Sequence, residues 1–272
     1  MDGLLIDSED LYTIATNRIL AKYNRPSLPW SIKAQLQGRP GPQAGEIFHN
    51  WAELPISKEQ YWKENAELQK ELFPNTQPLL GVPELLKGLQ DAGVHMALAT
   101  SSHEGNFILK SSHLPHLFDY FAPAHRVLGD DTRIPAGRGK PAPDIYLLAL
   151  AVLNATLSER GEKEIQPEEC LVFEDSVPGV EAGRRAGMQV VWCPHPELLL
   201  EYQGREKEVL AGLTGEHKED EEQQLQNTEA DVAQGKRRAG MPGAVDDGWG
   251  VLLKSLAGFP YEQFGINGAV KA

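Results

Sequence analysis

No strand-like run occurs before about residue 94; beyond it, short apolar strands alternate with helices of about ten residues. This alternation constrains the chain more than any other feature. A strand that feeds a helix returning to the next strand builds a parallel sheet with helices on both faces. Strands are expected at residues 95–100 (HMALAT), 120–127, 170–173 and 189–193, and helices at 82–92, 106–112, 145–154 and 177–186. A polar loop, 129–139, precedes Lys140, and 157–167 is a charged connection. The fold class is therefore α/β.

The residues ahead of this region carry helical spacing only. Leu11, Ala15, Ile19 and Leu20 recur along a first helix capped by Ser8, and further helices are expected over 31–37, 43–54 and 58–73. Gly38, Pro40-Gly41-Pro42 and Pro55 break them. An all-helical segment between a loop rich in acids and an α/β region is most simply a lid. The expected division is an α/β core from residues 1–8, 78–215 and 247–268, with a helical cap at 9–77. Residues 216–246 form an insertion whose part 216–239, polar and without Phe, Trp or Tyr, reads as disordered. A last helix is expected over 251–264, on the spacing of Leu252, Leu253, Leu256 and Phe259.

Length and charge narrow the function. A chain of 272 residues can bury one large core, or a core and a small second domain. The net charge of -13 argues against nucleic-acid binding, and much of the excess sits in 216–222. The longest apolar stretches, such as 145–153, are too short to span a membrane, and no secretory leader is visible. Cys170 and Cys193 each adjoin an apolar run and read as buried reduced thiols, a disulfide or metal pair being the alternative. A cytoplasmic setting fits these features.

Four fragments carry chemistry. The chain opens with Asp2-Gly3, a carboxylate and a glycine where backbone comes close to a ligand, then an apolar run ending in Asp7-Ser8-Glu9. Thr100-Ser101-Ser102 follows a strand, where hydroxyls and helix-opening N–H groups donate to a phosphate or simply cap the helix. Lys140 stands before Pro141 and Pro143, on a backbone stiffened to aim its ammonium. Glu174-Asp175 closes a further strand, where two adjacent acids are costly unless they bind a cation or pair with Lys140. Each of the last three lies at the end of a strand or in the loop beyond it, the edge where open α/β sheets put their ligands.

In this order the fragments resemble the four motifs of the haloacid dehalogenase-like (HAD) phosphohydrolases. The closest branch holds pseudouridine-5'-phosphatases, glycerol-phosphate and sugar-phosphate phosphatases and β-phosphoglucomutases. The resemblance implies a Rossmann-like core with a helical cap. It implies Asp2 as general acid and base, Thr100 and Ser101 as phosphate-binding groups, and Lys140 as the cation that neutralises the phosphate. Asp175, with Glu174 and Asp2, would bind Mg²⁺. Arg39, in the cap, is the candidate for touching substrate, a solvated surface charge being the other reading. In the register of motif I the attacking aspartate stands one residue ahead of Met1. The printed chain is thus expected to lack its nucleophile, and with it the central strand between those at 95–100 and 170–173. The implied function is Mg²⁺-dependent hydrolysis of a small phosphorylated metabolite (sugar, polyol or nucleoside phosphate) through an aspartyl phosphate. The implied protein is a monomer bound to neither nucleic acid nor membrane. The alternatives are a non-catalytic binding relative and a β-phosphoglucomutase-like isomerase.

Overall fold

The structure, a computed structural model, describes residues 1–39, 41–215 and 240–267. They fall into two compact units. Met1–Leu36, with the described parts of 40–131 and 254–272, makes the first; Gln37–Arg39 and Thr132–Leu253 make the second.

In the first unit four helices follow the opening loop: α1 (Ser8–Lys22), α2 (Trp30–Leu36), α3 (Gly41–Ala52) and α4 (Lys58–Leu72). Their apolar spacing produces a core in which Ile19 and Leu20 of α1 meet Phe48 and Ala52 of α3 and Tyr61 of α4. Ala15 of α1 packs with Leu72 and Phe73. Ser57 caps α4, accepting from Gln60 N at 3.1 Å. Ser8 does not cap α1. Asp7 holds the cap position without a capping side-chain bond, and the Ser8 hydroxyl turns instead to Asp2.

After these come α5 (Val82–Asp91), β1 (Leu98–Ala99), α6 (Glu104–Ser111), α7 (Pro115–Phe118) and β2 (Arg126–Val127). Val82, Leu85, Leu86 and Leu89 give α5 a buried stripe at helical spacing. β1 and β2 pair in parallel over two residues each, so both strands are shorter than the apolar runs suggest. The middle of the expected 120–127 strand is taken by a 3₁₀ turn, Pro123–His125, whose proline has no N–H for a ladder. The opening loop is tied to 77–79: Asp7 N donates to Gln77 O at 3.0 Å and Leu79 N to Leu5 O at 3.0 Å.

The second unit contains α8 (Asp144–Glu159), β3 (Leu171–Glu174), α9 (Val177–Arg185), β4 (Gln189–Trp192), α10 (Pro196–Glu201), α11 (Glu206–Ala211) and β5 (Gly250–Leu252). Its sheet is parallel, in the order β3-β4-β5. α9 lies close on it: a Cβ at Gly183 would sit 2.8 Å from a Val190 methyl. The helix expected over 251–264 is not formed. Residues 250–252 are a strand instead, because Val190 N donates to Trp249 O and Leu253 N to Trp192 O. Leu252 and Leu253 therefore answer to a sheet neighbour, and only Tyr261–Phe264 makes a 3₁₀ turn.

The disorder expected over 216–239 lies outside the described residues. Within 240–246, Gly240 N donates to Arg185 O at 2.7 Å and Gly243 N to Ala211 O at 2.8 Å. No helix among the described residues is long and apolar enough to cross a membrane.

Candidate active site

The motif residues fall into two groups, one in each unit. In the first, Gly3 at φ 61° turns the chain so that Leu5 N donates to Met1 O at 2.8 Å. The turn presents Asp2, whose Oδ1 accepts from Ser8 Oγ at 2.6 Å and from Lys110 Nζ at 2.5 Å. Its Oδ2 accepts from Ser102 Oγ at 2.8 Å. Lys110, on α6, is fully buried; it also donates to Ser102 Oγ at 2.6 Å and to the Tyr12 hydroxyl at 3.2 Å. Burial alone would push the Asp2 carboxyl up. The Lys110 ammonium and the Lys110 and Ser8 hydrogen bonds overcome this and hold it at about 2. The same pairing holds the Lys110 ammonium above its ordinary range despite its burial.

Thr100 stands directly after β1 and is buried, its Oγ1 accepting from Ser102 N at 3.2 Å. Ser101 is half-buried beside Gly129, where a Cβ would lie 2.1 Å from the Ser101 carbonyl oxygen. Within this Thr-Ser-Ser run the Ser102 hydroxyl reaches Asp2. A second buried pair flanks the group: Lys33 Nζ donates to Thr13 Oγ1 at 2.6 Å and lies 3.6 Å from Glu9 Oε2.

In the second unit β3 ends on Glu174, and Ser176 starts α9 by accepting from Gly179 N at 3.2 Å. Glu174 Oε1 accepts from Lys140 Nζ at 2.5 Å and from the Tyr146 hydroxyl. Its Oε2 accepts from the backbone N–H groups of Asp175 and Ser176 and from Ser176 Oγ at 3.0 Å. Burial works against the Glu174 charge, but Lys140 and these donors keep the carboxyl well below the usual carboxylate range. Burial and Glu174 push the Tyr146 phenol far up, so it stays a donor. Lys140 is 5% exposed, and its ammonium lies 5.1 Å from the centre of the Tyr146 ring. A Cβ at Gly179 would strike the Glu174 carboxyl carbon at 2.1 Å, so helix and carboxylate meet only over glycine.

Asp175 is 6% exposed; its backbone oxygen accepts from Trp192 Nε1 at 3.0 Å, and its Oδ2 accepts from Gln37 Nε2 at 2.5 Å. Arg39, two residues on from Gln37, is half-buried. Both oxygens of Glu174 are thus committed to protein donors, which makes it the anchor of Lys140. Both cysteines are free and half-buried, with burial raising each thiol to about 11.

Lys110, Tyr146 and Gln37 have no motif to mark them, and Ser102 lies in a motif fragment without having been singled out in it. For Lys110 a signal existed: it stands three residues after Phe107 and so on the same helix face, a charge among the buried positions of α6.

The model of the haloacid dehalogenase-like hydrolases matches residues 1–187. A probable pseudouridine-5'-phosphatase of Saccharomyces cerevisiae is 44% identical over 197 residues, covering 72% of this chain and 81% of its own. The mitochondrial (DL)-glycerol-3-phosphatase 1 of Arabidopsis thaliana is 36% identical over 216 residues, covering 78% of this chain and 68% of its own. Among solved structures, a β-phosphoglucomutase-like protein of Thermotoga maritima superposes with a TM-score of 0.54 at 32% identity, covering 74% of this chain and 88% of its own. The chain belongs to the haloacid dehalogenase-like hydrolases, and it is a phosphatase of that family. Its fold is the Rossmann-like core of that family, with a helical cap.

Proposed function

We propose that the chain is a Mg²⁺-dependent phosphomonoesterase of a small phosphorylated sugar, polyol or nucleoside, working through an aspartyl phosphate. The observation that carries this reading is the buried Lys140–Glu174 pair at the end of β3. Burying an ammonium is costly, and a fixed carboxylate that offsets the cost without using all three N–H donors leaves a preoriented cation. A phosphate is the ligand such a cation suits.

The residues present also fit Mg²⁺. Asp175 supplies a hard carboxylate at a strand end, and the amide oxygen of Gln37 beside it is buried without a hydrogen-bond partner. Among the described residues no group of three or more His, Cys, Asp or Glu forms a ready cage. That suits an ion held by one or two carboxylates, with waters and substrate phosphate completing its shell. Asp175 is the residue that would hold the ion. When bound, Mg²⁺ supplies charge to offset that of the transferring phosphoryl group.

The chain's own residues supply the rest. Asp2, ionised at rest, takes up the proton that the phosphate monoester brings in as its monoanion, gives it to the leaving alkoxide, then takes one from the water that hydrolyses the aspartyl phosphate. Thr100 accepts from Ser102 N, so its hydroxyl hydrogen is the part directed to a phosphate oxygen. Lys140 neutralises phosphate charge, and Arg39 contacts the leaving group. Motif I supplies the attacking aspartate, so enzymatic tests use a protein that carries motif I in full.

The test is phosphate release from a panel of sugar, polyol and nucleoside monophosphates, with Mg²⁺ and with chelator. Release that requires Mg²⁺ and falls on Lys140→Ala is the expected result. Release indifferent to both overturns the reading. The resemblance to the Thermotoga protein supports a second reading, phosphoryl transfer to another sugar hydroxyl. Isomerised sugar phosphate without free phosphate would establish it.

A further inference from the structure

Gln37 is not part of any motif, yet the structure builds it into the Asp175 corner. Gly38 has φ 76°, a backbone region suited to glycine, and a Cβ there would lie 2.2 Å from Ser176 Oγ. Backbone therefore presses directly on the residue that follows Asp175, and this contact fixes where Gln37 stands. Its Nε2 donates to Asp175 Oδ2 at 2.5 Å. An ionised carboxylate only accepts, so the amide cannot be turned around, and its oxygen must face the other way. That oxygen, on a side chain 5% exposed, has no hydrogen-bond partner among the described residues. A buried acceptor left unmatched is costly, and native structures match such groups with protein, water or ligand.

We propose that Gln37 is a positioning residue for the cation site. Its amide nitrogen fixes the direction of the Asp175 carboxylate, and its amide oxygen accepts from a water of the hydration shell of a divalent cation held there. This rests on the Mg²⁺ reading above. An ion that keeps several of its waters brings donors of the required kind. Partners one step beyond the ligands orient those ligands, and removing such a partner weakens metal binding roughly 10–100-fold.

The test uses thermal melts of the enzyme titrated with Mg²⁺ alone, because a ligand of the folded state raises the melting temperature according to its affinity. The parent should rise with Mg²⁺. Gln37→Leu should need at least about tenfold more Mg²⁺ for the same rise. Gln37→Glu should melt lower than the parent without Mg²⁺, since two carboxylates then face each other, and should gain more on adding it. Gln37→Met keeps the side-chain length without either polar atom and serves if the Leu variant does not fold. Variants that lower the melt yet respond to Mg²⁺ like the parent show a purely structural contact and overturn the proposal alone. A parent without any Mg²⁺ response overturns the cation reading beneath it. A Gln37→Leu defect appearing only with a sugar phosphate present, and not with Mg²⁺ alone, places the donor on the substrate and also overturns the proposal.

Discussion

Lys110 makes Asp2 tolerable in a half-buried place. A carboxylate there is costly by itself, and the structure meets the cost with an ammonium at 2.5 Å and two hydroxyls. Lys110→Met removes the cation and leaves the half-buried carboxylate without its ammonium, which should destabilise the protein by about 1–3 kcal/mol. Adding Asp2→Asn should recover part of that loss. The double-mutant cycle, read from denaturant melts, should show a coupling of about 1–3 kcal/mol. Additive losses would show that the two side chains do not share one network. The same reasoning explains why Asp2 was legible in the sequence and Lys110 was not. Asp2 sits in a contiguous motif, whereas the partner that governs it is 108 positions away. Ser102 shows the same limit at a separation of 100. Ser8 was read as a cap because Ser is favoured there, but the nearby Asp2 carboxylate competes for its hydroxyl.

Elements with strong internal periodicity were legible; elements defined by a distant neighbour were not. α4 carries its own cap in Ser57 and α5 its own apolar stripe, so local sequence suffices for them. β5 exists because β4 offers it a ladder, and its Leu252-Leu253 pair fits helical spacing equally well. What brings β5 back is a buried corner. Arg184 of α9 pairs with Asp247, whose Oδ2 also accepts from Ala244 N at 2.9 Å and whose Oδ1 accepts from Trp249 N at 2.9 Å. Burial would raise the Asp247 carboxyl, but those backbone donors and Arg184 outweigh it and hold it below its ordinary value. A carboxyl lowered on folding adds stability above its unfolded pKa of about 3.9, and that stability fades as pH falls through the folded value. Asp247→Asn should therefore lower the melting temperature at neutral pH and lose less than the parent on acidification below about pH 4. Parallel melting curves for the two proteins across that range would contradict this role.

Across the molecule, the α/β alternation was legible because a parallel sheet requires it, and the motifs were legible because their chemistry needs fixed residue types at strand ends. Thr100 follows β1 and Asp175 follows β3, as open sheets arrange their ligand edge. The division of labour between the two acids of motif IV was not readable, since only the hydrogen bonds show Glu174 committed to Lys140 and Asp175 to Gln37. The central claim is that Asp2 moves the proton of the leaving group in a phosphatase. It is tested most directly by kcat/KM of Asp2→Asn, in the protein with motif I complete, on an alkyl phosphate and on p-nitrophenyl phosphate. The alkoxide needs a proton to leave and the nitrophenolate does not. The substitution should therefore cost about 10²–10⁴-fold on the alkyl ester and far less on the aryl ester. Equal losses on the two esters, or none on either, would contradict the account.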